Sequence, residues 1–117
     1  MSVEIIKGEK KEFVIVISSE NGARFDLTPF DQYLVCLPTN TGSLDLTQVA
    51  TANGSVVALN GSADKGELLV TVNPLDSDTL KIGRNQEINV EVSASGDATL
   101  IKRWIMVDAL DVVDFDC

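Results

Sequence analysis

Glu87-Ile88-Asn89-Val90-Glu91-Val92, followed by Ser95-Gly96-Asp97 and then Thr99-Leu100-Ile101-Lys102-Arg103-Trp104-Ile105-Met106-Val107, is the stretch that decides the fold. Ile88, Val90 and Val92 alternate with polar neighbours, the period of two that sets one face of a strand toward a core and the other toward water. The Gly-containing step between the two runs is turn chemistry. Together they predict a long β-hairpin, and the rest of the chain repeats the pattern.

Upstream, residues 12–18 form the clearest early strand, with Phe13, Ile15 and Ile17 on one face. Val14 and Val16 make its other face apolar too, so this strand is either central or covered by another subunit. Asn21-Gly22 signals a tight turn, and residues 25–28 read as a short edge segment stopped by Pro29. Residues 32–37 read as a strand ended by Pro38, 44–49 as a strand of open register, and 56–59 as a strand entered from the Asn53-Gly54 turn. Residues 67–72 are another strand, and residues 3–6 a short first one. The exception is the stretch around Pro74 to Gly83, where Asp76 or Asp78 is placed to cap a single helical turn near residues 75–80. The pattern predicts an all-β antiparallel sandwich or small barrel, divided into a β-domain over 1–107 and an acidic, apolar arm or extra strand over 108–117.

A chain of 117 residues is the size of one domain. With 5% aromatic residues, Val, Ile and Leu must fill its core, each contributing about 2 kcal/mol when buried. Eighteen acidic against nine basic residues give a net charge of −9. Nucleic acid and anionic membranes, which bind through Lys and Arg, are not expected partners. The first residues carry no signal-peptide pattern, and no apolar run approaches the length of a membrane span. Cys36, within Tyr33-Leu34-Val35-Cys36-Leu37, is expected to act as a small hydrophobe. With Cys117 it is too little for a disulfide framework, which suits a protein made in a reducing cytoplasm.

The chain has no histidine, which removes the commonest general base and metal ligand and any Ser-His-Asp or Cys-His arrangement. No catalytic residue and no cofactor is expected. Two carboxylate pairs, Asp76/Asp78 and Asp114/Asp116, have hard-cation chemistry. Asp76 and Asp78 are weak calcium candidates against a capping role, and the second pair reads as solvated tail charge. Trp104 is expected in the sandwich core. Interface candidates are Val14 and Val16 on the two-sided strand, Phe25 and Phe30 flanking Pro29, and Leu110, Val112, Val113 and Phe115 in the tail.

The order of these signals resembles the immunoglobulin-like domain at the N-terminus of phage baseplate upper proteins, found in tail and fibre proteins. The matching steps are Lys7-Gly8-Glu9 before the strand from Phe13, Asn21-Gly22, Asp26-Leu27-Thr28, the Gly-led strand from Gly66, Thr79-Leu80-Lys81-Ile82-Gly83, and a final hairpin ending in Ile105 and Val107. Ala23-Arg24-Phe25 stands where that family usually has a proline. The resemblance spans roughly residues 5–107 and implies a single immunoglobulin-like sandwich of about seven to nine strands. It also implies a non-enzymatic virion protein of tail, baseplate or fibre, made in the host cytoplasm, that self-associates as a homo-oligomer and docks on other virion proteins. A capsid decoration protein is the second expectation, and a module binding a host receptor or surface glycan the third.

Overall fold

The alternation around Val90 produces strands β7 (Gly83–Ala94) and β8 (Asp97–Val113), a long antiparallel hairpin closed at Ser95-Gly96. The structure, a computed structural model, describes residues 3–18, 22–58, 66–74 and 79–113, with residues 106–109 described by their backbone alone. The other strands are β1 (Val3–Ile6), β2 (Lys11–Val16), β3 (Gln32–Pro38), β4 (Ser43–Thr47), β5 (Gly54–Ala58) and β6 (Glu67–Val72). They form two sheets. Sheet A has the order β1-β8-β7-β3-β4, and sheet B the order β2-β6-β5.

The chain is a β-sandwich because each strand supplies one apolar face and the two sheets bury those faces against each other. Sheet A contributes Ile5, Val35, Leu37, Leu44, Leu46, Ile88, Val90 and Val92, and sheet B contributes Phe13, Ile15, Val56, Leu68, Val70 and Val72. Burial of Leu44 and Leu46 resolves the open register of β4. Two glycines permit close approaches that no other residue allows. Gly54 has φ +140°, and a β-carbon there would fall on the Thr71 carbonyl of the neighbouring strand. Gly66, at φ +67°, would press one onto the carbonyls of Ile17 and Phe25.

Three expectations are corrected. Sheet A is mixed, because β1 runs parallel to β8 with Val3 opposite Leu110 and Ile5 opposite Val112. That register brings four apolar residues to one inward face. Second, of the arm or extra strand expected over 108–117, residues 108–113 are strand but not an extra one: β8 runs through to Val113, and Leu110 and Val112 are 0% and 1% exposed in the core of their own chain. The intervening Asp111 faces outward, accepts the Asn85 N–H at 2.9 Å and lies 3.9 Å from the Arg84 guanidinium. Acid alternating with apolar residue is thus the signature of a half-wet strand. Third, residues 25–28 form no edge strand. Asp26 Oδ1 accepts the Thr28 N–H at 2.9 Å, which turns the chain before Pro29, and Leu27 and Phe30 drop into the core. Most of the expected helical turn, residues 75–78, lies outside the described residues. Leu80, the last residue of that stretch, is buried, and the next N–H, of Lys81, donates to the Pro38 carbonyl at 3.0 Å.

Candidate interaction surfaces

The outward face of sheet B is built by the alternation that fills its inner face. With Phe13 and Ile15 inward, Val14 and Val16 must point out. With Leu68 and Val70 inward, Leu69 points out, and with Val56 inward, Val57 does. The ladder sets Val14 opposite Leu69 and Leu69 opposite Val57, a row of three aliphatic side chains across the whole sheet. Val16 lies one step along, opposite Glu67, and Glu12 and Ser55 flank Thr71 on the other side. Val57 is 41% exposed and the other three aliphatics are half-buried. Among the described residues no strand lies over this face.

A second surface forms where β8 outruns its neighbours. Ile101, Arg103 and Ile105 stand on the outward face, opposite Ser93, Glu91 and Asn89 of β7. Ile101 is 38% and Ile105 66% exposed. Arg103 Nε lies 3.3 Å from Glu91 Oε2 on the same face, an exposed pair of small energetic weight. On the other face Trp104 is half-buried against Phe25, ring centroids 4.9 Å apart at 76°, and Phe25 rests on Phe30 at 5.6 Å. The segment carrying Phe25 and Phe30 is pinned to the β7–β8 turn through Asp31. Its carboxylate accepts the Ser95 N–H at 2.8 Å and the Ser95 hydroxyl at 2.6 Å, bonds that hold its pKa below the ordinary value.

The outward face of sheet A carries two shallow depressions. One, about 330 Å³, is lined by Cys36, Pro38, Ser43, Lys81, Gln86 and Asn89. The other, about 280 Å³, is lined by Gln32, Tyr33, Leu34, Thr47 and Glu91. Partial burial pushes the Cys36 thiol up to about 12, helped by its hydrogen bond to Asp45 and the charges of Asp45 and Glu91, so it is a poor nucleophile. The Tyr33 hydroxyl donates to the Phe30 carbonyl at 3.1 Å. Among the described residues no three His, Cys, Asp or Glu side chains converge as metal ligands.

The structure therefore divides the residues that the sequence marks as candidates. Val14 and Val16 share one outward face, and Val113 is half-buried on the outward face of β8. Phe25 is half-buried and held by other aromatics. Phe30, Leu110 and Val112 are buried and are no interface residues, because the fold uses them to close its own core. Trp104 packs against the core yet stays half-buried, at the sandwich margin rather than its centre. Asp76, Asp78, Phe115 and the Asp114/Asp116 pair lie outside the described residues. Leu69, Val57, Ile101 and Ile105 are surface residues that the sequence pattern did not mark. The unbroken apolar run Leu68-Leu69-Val70 carried the signal for the first, since an apolar residue on both faces demands a second cover. Neither a protein-family model nor a curated protein matches the chain.

Proposed function

We propose that this sandwich is a non-enzymatic assembly module of a phage virion, which packs against a second copy of itself through the outward face of sheet B and docks on other virion proteins. The observation that carries the reading is the row Val14–Leu69–Val57 with Val16 beside it, aliphatic surface standing in register where a two-layer fold supplies no third layer. Burying such surface contributes about 25 cal/mol per Å², and a two-fold contact uses the same patch on both partners. The phage assignment draws on the order of the turn and strand motifs from Lys7 to Val107, with tail or baseplate ahead of capsid decoration. The virion is the location this reading implies, after synthesis in the host cytoplasm. Receptor or glycan binding ranks lower. A sugar platform needs an open aromatic face, whereas Phe25, Phe30 and Trp104 pack on one another and Tyr33 is the single aromatic lining either depression.

Sedimentation of the protein and of Leu69→Lys tests the reading. The native chain should associate at tens of micromolar, more strongly as salt screens the net charge of −9. Leu69→Lys should be monomeric with an unchanged circular dichroism spectrum, since Leu69 faces away from the core. A native chain that stays monomeric at every salt concentration, or a Leu69→Lys variant that associates equally well, refutes it.

A further inference from the structure

We propose that the unpaired edge of β8 is a docking site for an extended acidic segment of a partner protein, which adds to sheet A as a further strand beside Ile101–Ile105. The proposal rests on the reading of the domain as a docking module but uses a surface separate from the Val14–Leu69–Val57 row.

The edge follows from unequal strand lengths. β8 is 17 residues long, and β1 covers its outer side only from Leu110 to Val113. Among the described residues no strand pairs with that side over residues 101–105. The direction of the main chain is fixed as well. The Asp31 N–H donates to the Ser93 carbonyl at 3.1 Å, so Ser93 turns its main-chain groups toward β3, and the β8 residues on the outward side-chain face opposite it turn theirs away from β7. Ile101, Arg103 and Ile105 share that face. Their N–H and C=O groups thus form a ready ladder for an added strand. Side chains flank it on both faces: Ile101 and Ile105 outward, the Trp104–Phe25 pair inward.

Charge selects the occupant. Lys102 and Arg103 sit side by side at the middle of this edge in a chain of net charge −9. Arg103 shares its charge with Glu91, while Lys102 has no carboxylate within ion-pair distance among the described residues. A second copy pairing β8 with β8 about a two-fold at Lys102 or Arg103 would set Lys against Lys or Arg against Arg, which is unfavourable. Lys102 shares the Trp104 face and Arg103 the Ile101–Ile105 face, so an acidic strand with carboxylates on both faces meets both cations with opposite charge and is steered toward them.

Trp104 is the only tryptophan in the chain and reports on this edge directly. The probe is a capped peptide repeating Glu-Glu-Val-Val, which carries carboxylates on both faces of a strand, with the corresponding lysine–valine peptide as its counterpart, titrated against full-length protein while Trp104 emission is followed. The acidic peptide should shift the emission saturably, and Lys102→Glu should weaken its binding about tenfold without changing thermal unfolding. Ile101→Pro, which removes a donor only from the free side, should abolish binding. Lys102→Glu is exposed and keeps the test intact if the proline variant fails to fold. Absence of a saturable shift, equal binding of the lysine–valine peptide, or unchanged affinity in Lys102→Glu overturns the proposal. Self-association that Lys102→Glu abolishes would make a second copy the occupant and overturn it too. Leu69→Lys should bind the peptide normally, so loss of self-association with peptide binding intact counts against the sheet B reading alone.

Discussion

Replacing Leu110 with alanine asks whether the end of β8 belongs to the core or to an interface. Leu110 is fully buried and lies between Val3 of β1 and Gln86 of β7. The substitution removes three buried carbons, about 2.5 kcal/mol of transfer free energy, and leaves a cavity that raises the cost to about 3–5 kcal/mol. A domain of this size has a total stability of about 5–15 kcal/mol, so the loss is a large share of it. The melting temperature should fall by roughly 12–20 °C. Urea unfolding followed by Trp104 fluorescence and far-ultraviolet circular dichroism measures the change, and an unaltered denaturant slope would show that the same surface is exposed. Val113→Ala, on the outward face of the same strand, should cost only about 1 kcal/mol. Deleting residues 108–117 should leave the chain unfolded, because it removes Leu110, Val112 and the ladder that holds β1. A Leu110→Ala cost below about 0.5 kcal/mol, the range of surface substitutions, would refute the placement.

Gly54→Ala should destabilise by about 3 kcal/mol or more, since its φ of +140° and the Thr71 carbonyl leave no room for a β-carbon. Gly42→Ala, where nothing lies within 4 Å, should change the thermal midpoint little, and equal effects at the two sites would contradict the β5–β6 geometry. In a Cys117→Ser background, a thiol-specific disulfide reagent at mildly alkaline pH should label Cys36 far more slowly in the native protein than in urea. The folded thiol pKa, raised from an ordinary 9.0 to about 12, means that stability is complete below 9.0 and declines as pH rises toward 12. Cys36→Val should remove that share of the alkaline slope, and native labelling as fast as unfolded labelling would refute the raised pKa.

Half of the candidate surface is legible in the amino-acid sequence alone. The run Phe13-Val14-Ile15-Val16-Ile17 has no polar face, and a strand apolar on both sides announces that something must cover the second one. Which residues continue that face is not legible, because Val14, Leu69 and Val57 meet only through the register of three strands distant in sequence. The β8 edge is hidden for a related reason. Ile101 and Ile105 look like the rest of a good strand, and exposure depends on how far β1 reaches along β8.

By itself the sequence determined what the backbone decides locally. Strand positions and the inward set from Ile88 to Val92 follow from a period of two, the turn at Gly54 from glycine's tolerance of positive φ, and the Ser95-Gly96 turn from its small polar residues between two apolar runs. The lack of histidine likewise narrowed the chemistry at the level of composition. Only the tertiary structure decided who pairs with whom. The chain's first strand lies parallel to its last, Leu110 and Val112 serve the core rather than a neighbour, and residues 25–28 turn inward as a plug. Alternation states that a strand has an apolar face to bury, but the choice of partner is a competition among distant segments for the same interior. That competition is settled by total burial and chain closure, quantities that no local window contains.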